Sequence, residues 1–317
     1  MKKHPLLILV LLLSCRMLSQ NVQVESKKPI NANYLQEAAE SAIFIYDGSP
    51  NPCGQRQPGQ RIEPLGSASV IGIADQSANE NVFHGWKFLV TAEHVVHGHS
   101  NIVLRLNRSD HQGVVCFPME LRSSGVGPNL FMPEDKTSDL AAIALPDIAN
   151  TDPVIITYSW IMDEEAMKKY EVGIGTGIFT VGYLKGYAGE THNYPVTKFG
   201  RISVLTRETW LLSDRGGYEN AYVVEMEGVP GLSGAPVLTY GEEIKSNPFR
   251  YRVLPPFLVG VVKDSLTYSL PNTKQVMSQG LTAIEPGYKV KIFMDEIVKK
   301  LETSGAKPVV NFNELHN

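Results

Sequence analysis

The chain is poor in cysteine, with three in 317 residues. That excludes a small disulfide scaffold and the paired Cys-x-x-Cys clusters that build structural zinc sites. It lacks an excess of positive charge, with 29 Lys and Arg against 33 Asp and Glu. No basic field is there to hold a polyphosphate backbone, so nucleic acid is not an expected partner. It has no apolar run of the roughly 20 residues that crossing a bilayer takes, since the run Leu6–Leu13 stops at eight. It also lacks the His-Glu-x-x-His order of zinc peptidases. Glu93-His94-Val95-Val96-His97 reverses it, and His97 and His99 read as ordinary loop residues, so no metal is expected. Gly173-Ile174-Gly175-Thr176-Gly177 misses the spacing of a dinucleotide loop and reads as a turn, so no cofactor is expected either.

What is there begins with an export signal over residues 1–19. Lys2 and Lys3 precede the Leu6–Leu13 run, which ends at Ser14-Cys15. Two readings stay open: Leu12-Leu13-Ser14-Cys15 resembles the lipobox of bacterial lipoproteins, which would put a lipid anchor on Cys15, or cleavage falls near Ser19-Gln20. Both put the mature protein outside the cytoplasm, whether periplasmic, envelope-attached or secreted. There Cys53 and Cys116 can either pair or remain buried thiols.

Twenty-seven Gly and 20 Pro, scattered rather than clustered, favour many tight turns and an all-β chain. Residues 20–40 read as a linker and short helix. Short apolar runs then recur between turn signals in two series, a first β unit over 41–147 and a second over 173–301. Between them, 148–172 is a linker in which Trp160–Tyr170 forms a helix or a solvated loop. Tyr288–Leu301 has helical periodicity, with Lys299 and Lys300 in its last turn, and 302–317 is a tail.

Three segments set a reactive residue where a strand meets a turn. Phe88–Val96 delivers His94 just past a β-prone run, Ser138–Leu145 puts Asp139 directly before an apolar strand, and Pro230–Val237 encloses Ser233 between Gly231 and Gly234. A hydroxyl is a poor nucleophile at neutral pH and needs a neighbouring base, for which imidazole has a suitable proton affinity. The base needs an acid to fix its tautomer and stabilise the imidazolium. Uncluttered glycines let the N–H groups of Gly231 and Ser233 converge on a developing oxyanion.

In order and spacing these segments resemble the Thr-Ala-Ala-His, Asp-Leu-Ala and Gly-x-Ser-Gly-x-Pro signatures of the trypsin-like serine peptidases of bacterial type. Gly66–Gly72, Val181–Tyr183, Phe199–Ser203 and Leu258–Val261 extend the likeness, which spans about residues 41–301. The resemblance implies an all-β fold of two six-stranded antiparallel β-barrels of the chymotrypsin type with a C-terminal helix. His94 and Asp139 would come from the first barrel and Ser233 from the second. It implies an exported endopeptidase that cleaves a protein or peptide substrate through an acyl-enzyme, without a cofactor. By the same alignment Glu227 approaches the base of the pocket for the side chain preceding the cut, with Lys263, Asp264 and Ser265 along its wall. An acid there favours Lys or Arg in the substrate, unless Lys263 neutralises it.

Two departures from the family stand out. Leu232 replaces the Asp that animal members use to pair with a freshly cut N-terminus, so that pairing is impossible and the turn must be held in another way. Glu93 replaces a small residue before the histidine, and it either approaches the base or faces solvent. A rival reading is a non-enzymatic double-barrel binding or assembly module of the cell envelope; retention of all three reactive residue types argues against it. An esterase would share the same machinery. The α/β-hydrolase elbow is disfavoured by Ala235 in place of its last glycine and by the chain order.

Overall fold

Short strands dominate, as the alternation of apolar runs and turn residues predicts. A computed structural model describes residues 32–304, apart from 41, 50–51, 55–61, 75–82, 125–127, 213–217, 241, 245–250 and 270–274, together with 310–312. The export signal, Cys15 and most of the linker and tail expected at the two ends lie outside the described residues. Among the described residues no helix is long and apolar enough to cross a membrane.

Helix α1 (Ala32–Glu40) leads into β1 (Ile43–Asp47), β2 (Gly66–Ala74) and β3 (Phe83–Thr91). The four-residue α2 (Glu93–Val96) follows, then β4 (Asn101–Asn107), β5 (Val114–Glu120), β6 (Leu130–Phe131), β7 (Ala141–Ala144) and β8 (Ile155–Thr157). Hydrogen bonds order the sheet β5-β4-β1-β2-β3-β7-β6, with β8 parallel to β2. The two-residue period of a strand divides its apolar residues between two cores. Phe44, Tyr46, Phe88 and Val90 share one core with residues of the second unit, while Ile43, Ile45, Leu89 and Leu104 fill the other. Burial on both faces is why Ile43–Tyr46 reads as a continuous apolar run.

After α3 (Glu164–Tyr170) the second unit contains β9 (Gly177–Gly182), β10 (Val196–Val204), the small hairpin β11 (Leu211–Leu212) and β12 (Tyr218–Glu219), β13 (Tyr222–Glu225) and β14 (Pro236–Thr239). A second hairpin, β15 (Glu242–Ile244) and β16 (Tyr251–Val253), precedes β17 (Leu258–Ser269) and β18 (Val276–Pro286). Six of these strands close a barrel in the order β10-β13-β18-β17-β14-β9. The expectation of two six-stranded barrels therefore needs correction: the second unit closes, and the first is a curled sheet that strand pairing leaves open among the described residues. Its end strands β5 and β6 meet at the turn between them, where the N–H groups of Asn129 and Leu130 donate to the carbonyl of Arg122 at 2.9 and 3.0 Å. At two residues, β6 is too short to carry a ladder across to β5.

The chain between the units is helical where the sequence left helix and loop open. The Asp163 side chain caps α3 by accepting from the Ala166 N–H at 2.8 Å, and Lys168 and Lys169 sit in its last turn. Helix α4 (Gly287–Thr303) leaves β18 through Pro286 and buries Val290, Phe293, Met294 and Ile297 in the core that the two units share. Each such side chain contributes about 1.5–3 kcal/mol. Strand β19 (Val310–Phe312) then returns to pair with β3.

Two further ties fix the architecture. Arg105 on β4 is fully buried and donates to the carbonyls of Ala188 and Glu190 and to Asn193 Oδ1 at 2.8–3.0 Å, all in the β9–β10 connection of the second unit. Cys53 and Cys116 form a disulfide with Cα atoms 6.0 Å apart, tying the β1–β2 connection to β5.

Candidate active site

Strand β3 ends at Thr91, Ala92 stays extended, and the single turn of α2 brings His94 to the mouth of a cleft between the units. Asp139 arrives from the other side of the same sheet, immediately before β7, which pairs with β3. Its carboxylate spans His94 twice: Oδ1 accepts from the backbone N–H at 3.0 Å and Oδ2 lies 2.7 Å from Nδ1. The Glu93 N–H also donates to the Asp139 carbonyl at 3.2 Å. Asp139 is 2% exposed at its side chain and His94 42%, so the acid is walled in while the ring faces the cleft. A carboxylate accepting from Nδ1–H leaves Nε2 of a neutral imidazole as the acceptor, the tautomer a general base requires.

The acid is gripped from behind by the second unit. Glu285, fully buried near the end of β18, accepts from the Asp139 N–H through Oε1 at 2.8 Å and from Ser138 Oγ through Oε2 at 3.2 Å. Lys263 on β17 donates to Glu285 at 2.9 Å and to Glu219 at 2.5 Å, and Lys289 on α4 lies 3.4 Å from the other Glu285 oxygen. Burial alone would pull the Lys263 ammonium down, but Glu285 and Glu219 more than reverse this and hold its pKa above the ordinary lysine value.

Ser233 comes from the turn that ends at β14. Gly231 has φ +106° and Gly234 φ +85°, a region costly for any residue with a Cβ. Space is also refused, because a Cβ at Gly231 would overlap the Tyr183 ring and one at Gly234 would overlap Thr91 Oγ1 and the Ser67 carbonyl. Three consecutive carbonyls of the turn are tethered. Pro230 O accepts from the Lys185 N–H at 2.9 Å, Gly231 O from Ser67 Oγ at 2.9 Å, and Leu232 O from the Ala235 N–H at 2.8 Å. In a trans peptide the N–H points opposite the carbonyl, so tethering the Pro230 and Leu232 carbonyls aims the N–H groups of Gly231 and Ser233. Neither N–H has an acceptor among the described residues, whereas those of Leu232 and Gly234 do. Leu232 is 1% exposed and packs in the barrel core with Ala235 and Val237. Packing and tethered carbonyls therefore hold the turn where the sequence offers no ion pair.

The cleft has a volume of about 570 Å³, and His94, Asp139 and Ser233 all line it. Lys263, Asp264 and Ser265 line it too, along β17, although the Lys263 ammonium is turned into the ion cluster. Glu227 is not among the lining residues. Beyond the end of β13, Met226 is buried and Glu227 turns outward, its side chain 63% exposed and 3.7 Å from Lys198 on β10. The acid expected at the pocket base therefore sits on the barrel surface. Glu93 turns to His97 Nδ1 at 2.5 Å, one helical turn on. His99 Nδ1 lies 3.4 Å from Asp47. Ser67, Glu219, Glu285 and Lys289 are the site-supporting residues that sequence reasoning missed. Ser67 lies within the Gly66–Gly72 motif, and Glu285 leaves a trace as an acid inside the apolar end of a strand, Ala283-Ile284-Glu285.

No protein-family model matches the chain, and no curated protein matches it. Among solved structures it is similar to the MamO protease domain from Magnetospirillum magneticum, at 12% identity over 84% of this chain and 98% of that one, with a TM-score of 0.48. It is also similar to human heparin binding protein, at 14% identity over 83% and 93%, TM-score 0.46. A third is the HtrA-type protease AlgW solved with a decapeptide, at 17% identity over 87% and 68%, TM-score 0.46. None of these likenesses assigns this chain an activity. The closed barrel, the curled sheet beside it and the C-terminal helix meet in part the two-barrel architecture with a C-terminal helix expected from the sequence.

Proposed function

We propose that the protein is an exported serine endopeptidase. The observation that carries this reading is the Asp139–His94 pair, with Oδ2 2.7 Å from Nδ1, lining one cleft with Ser233 beside two N–H groups that have no acceptor among the described residues. In the proposed reaction a peptide lies in the cleft and its scissile carbonyl carbon meets Ser233 Oγ. The Ser233 proton passes to His94 Nε2 as the C–O bond forms. Asp139 keeps Nδ1–H in place and stabilises the imidazolium. The negative charge on the former carbonyl oxygen falls to the N–H groups of Gly231 and Ser233. His94 then returns the proton to the leaving amine, and water repeats the sequence to release the acyl group.

No hydrogen bond joins Ser233 to His94 among the described residues. Such bonds commonly tighten only when substrate excludes water. The rival reading, a binding module on the same fold, differs in one observable, the reactivity of Ser233. Wild-type protein is expected to take a fluorophosphonate on Ser233 and to cleave members of a peptide library. Ser233→Ala is expected to take no label and to keep only the contribution of about 10³ to 10⁴ over water that the oxyanion site and binding supply. Equal labelling of the two would refute the assignment. Export, with or without lipid at Cys15, is tested by fractionating cells and weighing the mature N-terminus.

A further inference from the structure

Ser67 is 1% exposed, lies on β2 of the first unit and is not among the residues that line the cleft. All its polar groups are nonetheless used around the nucleophile turn. Its N–H donates to the Ser233 carbonyl at 2.9 Å. Its Oγ accepts from the Tyr183 N–H at 2.8 Å and donates to the Gly231 carbonyl at 2.9 Å. Its own carbonyl accepts from Thr91 Oγ1 at 2.7 Å, on the strand that leads to His94. Of the tethered carbonyls from Pro230 to Ser233, Gly231 alone is held by a side chain, and that side chain belongs to the opposite unit.

The held peptide lies between the two that carry the Gly231 and Ser233 N–H groups. Its orientation sets the torsions on either side and hence the angle at which those N–H groups converge. We infer that Ser67 is a positioning residue for the oxyanion site: its hydroxyl locks the middle peptide of the turn, so the two donors are aligned only when the units are seated on each other. The role rests on the proposed function, because it acts through the same two N–H groups. Geometry leaves the hydroxyl little choice. One of its lone pairs accepts from Tyr183 and its single proton goes to Gly231. Gly182, beside Tyr183, would overlap Ser67 Oγ if it carried a Cβ, so the chain approaches the hydroxyl as closely as backbone can.

The test compares wild type, Ser67→Ala and Ser67→Cys as folded, full mature protein. Alanine removes the donor and acceptor at nearly constant volume, and cysteine keeps the volume with only a weak donor. Misplacement of aligned groups by about 1 Å costs up to about a hundredfold in rate. Fluorophosphonate labelling and kcat are accordingly expected to fall about tenfold to a hundredfold in Ser67→Ala, with Ser67→Cys in between. KM and the pH midpoint of the profile should be unchanged, since His94 and the cleft are untouched. Affinity for a peptide aldehyde, which forms a tetrahedral adduct, should fall by the same factor as kcat. A purely structural residue would lower the melting temperature without splitting kcat from KM. A folded alanine or cysteine variant that acylates at the wild-type rate overturns the inference alone. Failure of both variants to fold also overturns it, by making Ser67 a structural residue. Wild type that takes no label overturns the peptidase reading and this role with it.

Discussion

Replacing Glu285 by Gln tests how the two units are held together at the acid. Glu219, Lys263, Glu285 and Lys289 are all under 10% exposed and balance to zero net charge. Glutamine keeps an acceptor for the Asp139 N–H but removes one of the two buried negative charges. Lys263 retains Glu219 at 2.5 Å, while Lys289 retains only the half-exposed Asp135 at 3.8 Å and the Asn220 carbonyl. Stranding a buried charge in this way costs about 3–5 kcal/mol. At about 2–4 °C per kcal/mol for a domain of this class, the melting temperature followed by circular dichroism should fall by about 6–20 °C. Adding Lys289→Met restores neutrality, so the double variant should be more stable than the sum of the two single losses by about 1 kcal/mol or more. Lys263 also sets a pH dependence. Its folded pKa is raised, so the stability it contributes is complete below its ordinary 10.5 and is lost only as pH climbs beyond that value. In Glu285→Gln, with the chief attracting carboxylate gone, that loss should begin at lower pH. A fall of less than about 2 °C, or strictly additive losses in the cycle, would show that the cluster carries no coupled charge energy.

Two more expectations follow from the fold. The Cys53–Cys116 bond spans 63 positions, so removing it should cost about 4 kcal/mol by loop entropy, read as a lower denaturation midpoint in dithiothreitol or in the double serine variant; an unchanged midpoint would contradict the pairing. Gly231→Ala forces a Cβ against Tyr183 at φ +106°, so kcat should drop at least about a hundredfold with only a modest loss of stability, and a near-wild-type kcat would show that the turn is not under this constraint.

Local patterns were legible in the sequence, and long-range partnerships were not. Apolar runs flanked by turn residues located β1 to β5, β7, β9, β10, β13, β14 and the start of β17, because a buried strand leaves a period or a run in its own residues. Strand β18 left no such trace. Its first half, Val276–Gln279, is exposed, and its buried end is interrupted by the charge of Glu285. Strands β6 and β8 are too short to show a period, and β19 lies in a stretch without one. Barrel closure depends on whether the first and last strands reach each other, a distance that no window of sequence contains. The positions of His94, Asp139 and Ser233 were legible because each lies in its own strand-to-turn segment. Ser67 and Glu285 were not, since their importance comes from partners 164 and 146 positions away. Glu227 lies off the cleft for a related reason: alignment measures its distance from Ser233 along the chain, while the path of the chain beyond β13 decides which way its side chain faces.

The buried guanidinium of Arg105 has a consequence for how this molecule can be divided. Its acceptors, Ala188, Glu190 and Asn193, all belong to the other half of the chain. Expressed as separate fragments, the amino-terminal half would carry a buried cation stripped of these three acceptors and the carboxy-terminal half a loop without the guanidinium it wraps. Each half is thus a template for the other, and a chimera that exchanges one barrel for a relative's must carry the 188–193 segment along with its matching arginine.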